Sequence, residues 1–239
     1  LGKLLVAVTQ PNNLLKMTNL KASQLSLEEV ERNLKYVETF DEISFDGLLS
    51  LEPLTEYEQQ ELERIRTDFR PYLKLRKGSE GQVKALTTYP LLRLAGFYSY
   101  PILIKIEEGI DRIVIEDEDN TITGRFDILT VNKSIPTENN IPFWLLVIES
   151  KEVGVEVRQG LPQLLTYAYK SLERQSFVWG MATNGLQHLF VYMRQGNPPT
   201  YQLMPELHLL ESQRSIELVR VLKAVCKLQN FQAPLQAAS

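Results

Sequence analysis

The chain has 239 residues, 44% of them hydrophobic, enough for one substantial core or two small ones, and its formal charge of −4 argues on its face against a nucleic-acid binder. One cysteine, Cys226, excludes an internal disulfide framework and a cysteine-rich zinc site, which points to the cytoplasm. No apolar run approaches membrane-spanning length, and the opening LGKLLVAVTQ lacks a signal-peptide core.

In chain order, SLEEVERNLKYV opens with a capping box, Ser26 with Glu29, and predicts a helix from about Leu27. A second, charged helix fits TEYEQQELERIRTDF, so residues 1–70 read as a mainly helical N-terminal extension. Between Arg64 and Lys84 the bases Arg64, Arg66, Arg70, Lys74, Arg76, Lys77 and Lys84 stand against only Asp68 and Glu80. Such a stretch suits either a polyanion or a solvated helix face and loop. A third helix begins near Ser79 in SEGQVKALTTYPLLRLAGF, interrupted or kinked at Pro90 and stopped by Gly96.

The periodicity then changes. Ile102 to Ile106, Arg112 to Glu116, Thr121 to Val131 and Phe143 to Glu149 read as successive strands of an antiparallel meander. GLPQLLTYAYKSLER carries Leu161, Leu164, Leu165, Ala168 and Leu172 at helical spacing. FVWGMAT and LQHLFVYM follow, joined by the hairpin signal Asn184-Gly185, and a last helix covers about Ser215 to Gln229 before a frayed tail. The expected architecture is one α/β domain over 1–239: a mixed sheet flanked by helices, with a core over 79–193 and a C-terminal helix and tail over 205–239.

Common catalytic devices are missing: no GxxxxGK[ST], no HExxH and no GxSxG. The two histidines carry no role; His188 reads as a strand residue beside the turn, and His208 precedes the last helix. Carboxylates and lysines remain. LLVIESK ends a strand with apolar residues on both faces in Glu149 and Lys151, two residues apart and therefore on one face. TGRFDILTV places Asp127 in a similar run. Ionised groups in such strands need partners. An ion pair at a strand end satisfies LLVIESK alone. If the two strands pair, however, Asp127 and Glu149 converge, and a cation such as Mg²⁺ relieves their repulsion. Gln159, Gln163, Tyr167 and Lys170 form a polar stripe on the following helix, opposite its leucines, suited to hydrogen bonding with phosphates or metal-bound water.

Asp127, then Glu149-Ser150-Lys151, then Gln163 to Tyr167 resembles the D...ExK...QxxxY signature of the PD-(D/E)XK nuclease superfamily. The last element is similar to that of the RecB-like branch and of the nuclease domain of type I restriction motor subunits. The helix running into YPLLRLAGF and the ATNG hairpin extend the likeness over about Ser79 to Met193. Phe126 stands where the name-giving proline would be, and the helicase motifs of a full motor subunit are missing.

The resemblance implies a restriction-endonuclease-like fold and Mg²⁺- or Mn²⁺-dependent hydrolysis of DNA, in a restriction or defence setting, with restriction-modification subunits or a second copy as partners. It makes Asp127 and Glu149 metal ligands, with Glu80 and the Ser150 carbonyl as further ligands. Lys151 would orient or deprotonate the attacking water, and Gln163 and Tyr167 would position the site or the DNA backbone. Two other readings stand beside it: a catalytically silent nuclease fold that binds DNA or a partner, and an acidic α/β interaction domain whose buried charges merely pair.

Overall fold

Side-chain caps set where the main N-terminal helices begin in the computed structural model, which describes residues 18–40, 44–75, 78–115, 120–135 and 141–228. Ser26 accepts from the Glu29 amide while Glu29 reaches back to the Ser26 amide, opening α1 (Leu27–Leu34). A short uncapped α2 (Phe45–Leu48) follows. Thr55 with Glu58 opens α3 (Glu56–Lys74), and Ser79 with Gln82 opens α4 (Glu80–Val83). Proline lacks an N–H, so a regular ladder cannot run through Pro90. The chain answers with a π-helical turn at Lys84–Thr88, closed by the Tyr89 amide on the Lys84 carbonyl, before α5 (Tyr89–Leu94). Gly96, at φ 98°, then ends the helix.

Strands β1 (Thr18–Lys21) and β2 (Val37–Glu38) precede β3 (Ile102–Ile106), β4 (Ile113–Ile115), β5 (Asn120–Thr123), β6 (Ile128–Asn132) and β7 (Phe143–Ser150). After β7 come α6 (Leu161–Tyr169), β8 (Phe177–Thr183), β9 (Gln187–Arg194), β10 (Thr200–Leu203), β11 (Leu207–His208) and α7 (Ser212–Cys226). The large sheet runs β2-β10-β9-β8-β7-β6-β3, with β11 also on β9. It is mixed: β7 and β8 are parallel, joined through α6, whereas β6–β7 and β8–β9 are antiparallel. The region read as a helical extension thus also supplies two strands. The last helix begins three residues before its expected start, and the tail lies outside the described residues.

The expected meander is not formed. β3 pairs directly with β6, and β4 and β5 leave to make a separate three-stranded sheet, β1-β5-β4. The run Thr121 to Val131 is broken over residues 124–127, where Gly124 interrupts the strand pattern. Strict alternation along β7 fails as well. A register shift opposite Thr130/Val131 leaves Leu145 as an extra residue, so Leu145, Leu146 and Ile148 all pack in one core while Trp144 and Val147 face the other.

Those two cores lie on opposite faces of the large sheet. Phe69 from α3, Leu91 and Leu92 from α5 and Leu218 to Val225 from α7 fill one. Val30 and Leu34 from α1, Leu161 to Ala168 from α6 and the small sheet's Ile113 and Ile122 fill the other. Each fully buried leucine of α6 contributes about 1.5–3 kcal/mol, which fixes that helix against β7 and β8. Among the described residues no helix is long and apolar enough to cross a membrane.

Candidate active site

β6 enters the sheet just after Asp127, and β7 leaves it just after Glu149. Because Ile128 pairs with Ile148, the two carboxylates arrive together at one end of the sheet. The Ser150 amide donates to Asp127 Oδ2 at 2.7 Å, pinning the aspartate across the strand end. Burial raises the Asp127 carboxyl above the usual range, reinforced by the Glu80 charge and opposed by the Ser150 amide and Lys84. Glu149, only 3% exposed, is pushed up to about 8, first by burial and then by the Asp127 charge, with Lys151 opposing. Its Oε1 accepts from Lys151 Nζ at 2.9 Å, while Oε2 is buried without a hydrogen-bond partner. An unpaired buried carboxylate oxygen is costly, and this one lies beside a second acid.

A polar chain continues from there. Lys151 Nζ also donates to Gln163 Oε1, and Gln163 Nε2 donates to the Tyr167 hydroxyl at 3.0 Å. Burial raises the Tyr167 phenol to about 12, so it stays protonated at neutral pH. Two glycines permit these approaches. A Cβ on Gly160 would lie 3.3 Å from Glu149 Cγ and 3.1 Å from Ala182 Cβ; on Gly124 it would lie 2.7 Å from Tyr167 Cε1. The rest of the predicted stripe does not reach the site: Gln159 is exposed in a preceding 3₁₀ turn and Lys170 pairs with Glu173.

Lys84 is the residue that sequence reasoning missed. Counted only among the surface bases, it is buried in the π-turn, with Nζ 2.9 Å from Glu80 Oε1 and 3.1 Å from Asp127 Oδ1. Glu107 Oε1 lies 3.5 Å away, and Arg125 reaches the same glutamate at 3.7 Å. Glu107 adopts a left-handed φ of 52° at the end of β3, where its amide donates to the Asp127 carbonyl. Burial alone would push the Lys84 ammonium toward neutrality, but hydrogen bonds and charge from Glu80 and Asp127 hold it above the usual lysine range. The i,i+4 spacing of Glu80 and Lys84 was the available signal. Glu80 therefore joins the site through Lys84.

The basic stretch divides into parts with different roles. Arg64 and Arg66 pair with Glu61 and Glu63 of their own helix, Lys84 belongs to the site, and Arg70 and Lys74 are exposed. Arg76 and Lys77 lie outside the described residues.

The donors suit a hard cation: carboxylate oxygens, one of them without a partner. Among the described residues no group of three or more His, Cys, Asp or Glu side chains is arranged to hold a metal ion. Mg²⁺ does not require one, since it is commonly held by one or two carboxylates with waters and substrate phosphates completing its shell. Asp127 and Glu149 are the pair that fits that pattern. Ser150 is completely buried, its amide committed to Asp127. Comparison with protein-family models and with curated proteins finds no match for this chain.

Proposed function

We propose that this chain is a Mg²⁺- or Mn²⁺-dependent DNA endonuclease of the PD-(D/E)XK kind, with a restriction-endonuclease-like core, acting in the cytoplasm in restriction or defence. One observation carries the reading: Asp127 and Glu149 meet at a strand end with Lys151 bonded to Glu149, leaving one glutamate oxygen buried and unpartnered. Hydrogen bonds to Gln163 and Tyr167 extend that arrangement in the order of the signature.

Asp127 and Glu149 would hold the divalent ion, which when bound supplies Lewis-acid polarisation of the phosphodiester and an acidified water. Lys151, held between Glu149 and Gln163, would set a positive charge beside the scissile phosphate, where negative charge gathers in the transition state. Gln163 fixes that ammonium, and Tyr167 fixes Gln163. Incubating the purified chain with supercoiled plasmid should give nicked and linear products only when Mg²⁺ or Mn²⁺ is present, and Asp127→Asn should abolish them. Intact plasmid under all divalent-ion conditions, with Mn²⁺ binding retained, would favour the catalytically silent alternative.

A further inference from the structure

Each carboxylate of the pair has its own lysine. Lys151 serves Glu149 and Lys84 serves Asp127, but only Lys151 belongs to the signature. Both Asp127 oxygens are engaged, Oδ2 by the Ser150 amide and Oδ1 by Lys84. The amide bond is fixed by the strand. A divalent ion that uses Asp127 must therefore share an oxygen with the Ser150 amide or with Lys84, and of these two donors only the Lys84 side chain can withdraw.

Lys84 also has somewhere to go. Glu80 already bonds it and Glu107 stands close by, and both side chains are half-exposed at 41% and 47%. Retreating from Asp127 would leave the ammonium paired with these two acids, which avoids the cost of a buried unpaired charge.

Resting on the reading of Asp127 and Glu149 as metal-site carboxylates, we infer that Lys84 is a positioning residue, a built-in counter-cation. It holds Asp127 in place before the metal arrives and competes with the divalent ion for Asp127 Oδ1. It thereby sets the divalent-ion concentration at which the site fills. Two like-charged cations beside one carboxylate repel strongly in a partly buried site, so removing one should tighten binding of the other by about tenfold or more.

Calorimetric titration of the full chain with Mn²⁺ tests this in the wild type, Lys84→Met, Lys84→Gln and Lys84→Arg, with folding checked by circular dichroism. The two uncharged variants guard against misfolding of either. Both should bind Mn²⁺ about tenfold more tightly, while Lys84→Arg stays within about threefold of the wild type. Tight binding in the uncharged variants with none detectable in the wild type supports the same conclusion. If the wild type binds through Asp127 and the uncharged variants bind no tighter, the role of Lys84 is overturned and the metal site stands. If none of the proteins binds Mn²⁺, or if Asp127→Asn leaves wild-type affinity unchanged, the metal site falls and the role of Lys84 falls with it.

Discussion

Glu149 and His188 sit two strands apart at the same end of the large sheet, at 3% and 0% exposure, and their surroundings could hardly differ more. Burial drives both toward neutrality, the glutamate up to about 8 and the histidine down to about 3. Around Glu149 stand Asp127, Lys151, Gln163 and, beyond them, Lys84 and Glu80. Among the described residues neither ring nitrogen of His188 makes a hydrogen bond of ordinary geometry; the His208 charge opposes its protonation, and only the backbone at Leu186 and Leu207 favours it. A displaced pKa therefore does not mark a site by itself. The distinction lies in whether a charged side chain that favours the ionised form has been brought alongside, as Lys151 has for Glu149.

Lys151→Ala puts that distinction under the greatest load. Cleavage should fall about 10³-fold while the protein stays folded and Mn²⁺ binding is retained or tightened, since a cation beside Glu149 has been removed. Loss of folding with normal specific activity in the surviving protein would reduce the Glu149 region to a structural ion pair, no more functional than His188.

Tyr167→Phe sharpens the comparison at the end of the polar chain. Removing the hydroxyl that accepts from Gln163 should lower cleavage about tenfold, with metal binding and stability little changed. An unaltered rate in single-turnover assays would end the chain of influence at Gln163.

His188→Leu tests the other region through stability alone. The unfolded histidine titrates near 6.5 and the folded one near 3, so between these values the unfolded state binds the extra proton. Stability is complete above about pH 6.5 and is lost as pH falls toward 3. At pH 5 the wild type should have lost about 2 kcal/mol through this residue, a loss the leucine variant escapes. Parallel urea-unfolding profiles of the two proteins from pH 7 to pH 4 would show that His188 is solvated or paired after all.

The smallest effect belongs to the exposed bases outside both regions. Arg70→Ala with Lys74→Ala should reduce the log–log salt dependence of DNA binding in Ca²⁺ by about one per lost phosphate contact, without altering sequence preference. An unchanged slope would place DNA on another side of the molecule.

The meeting of Asp127 and Glu149 was legible because a charged residue inside an apolar strand advertises its need for a partner, and antiparallel pairing of the two runs then brings them together. Helix starts were equally legible, since Ser26, Thr55 and Ser79 carry their caps within three residues. Lys84 was not. Its i,i+4 spacing from Glu80 signalled that pair alone, while its burial depends on a π-turn and on Glu107 and Asp127 at the ends of β3 and β6, which no local pattern encodes. The departure of β4 and β5 from the large sheet was hidden for a similar reason: their alternation is the same whichever sheet receives it. The extra residue at Leu145 left no mark because its apolar side chain suits either core.

The parallel pairing of β7 with β8 has a consequence for synthesis. By the time Tyr167 has left the ribosome, every residue assigned to the site exists, but β8 begins only at Phe177 and its hairpin partner β9 ends at Arg194. Until those strands dock, β7 has only β6 and β3 beside it, and the Lys151 amide lacks the Thr183 carbonyl of β8 that anchors it. Closing such non-local pairings is slow compared with forming a helix. A nascent chain should thus carry the full set of site residues without a competent site, so that any nuclease activity would begin only after the fold is finished.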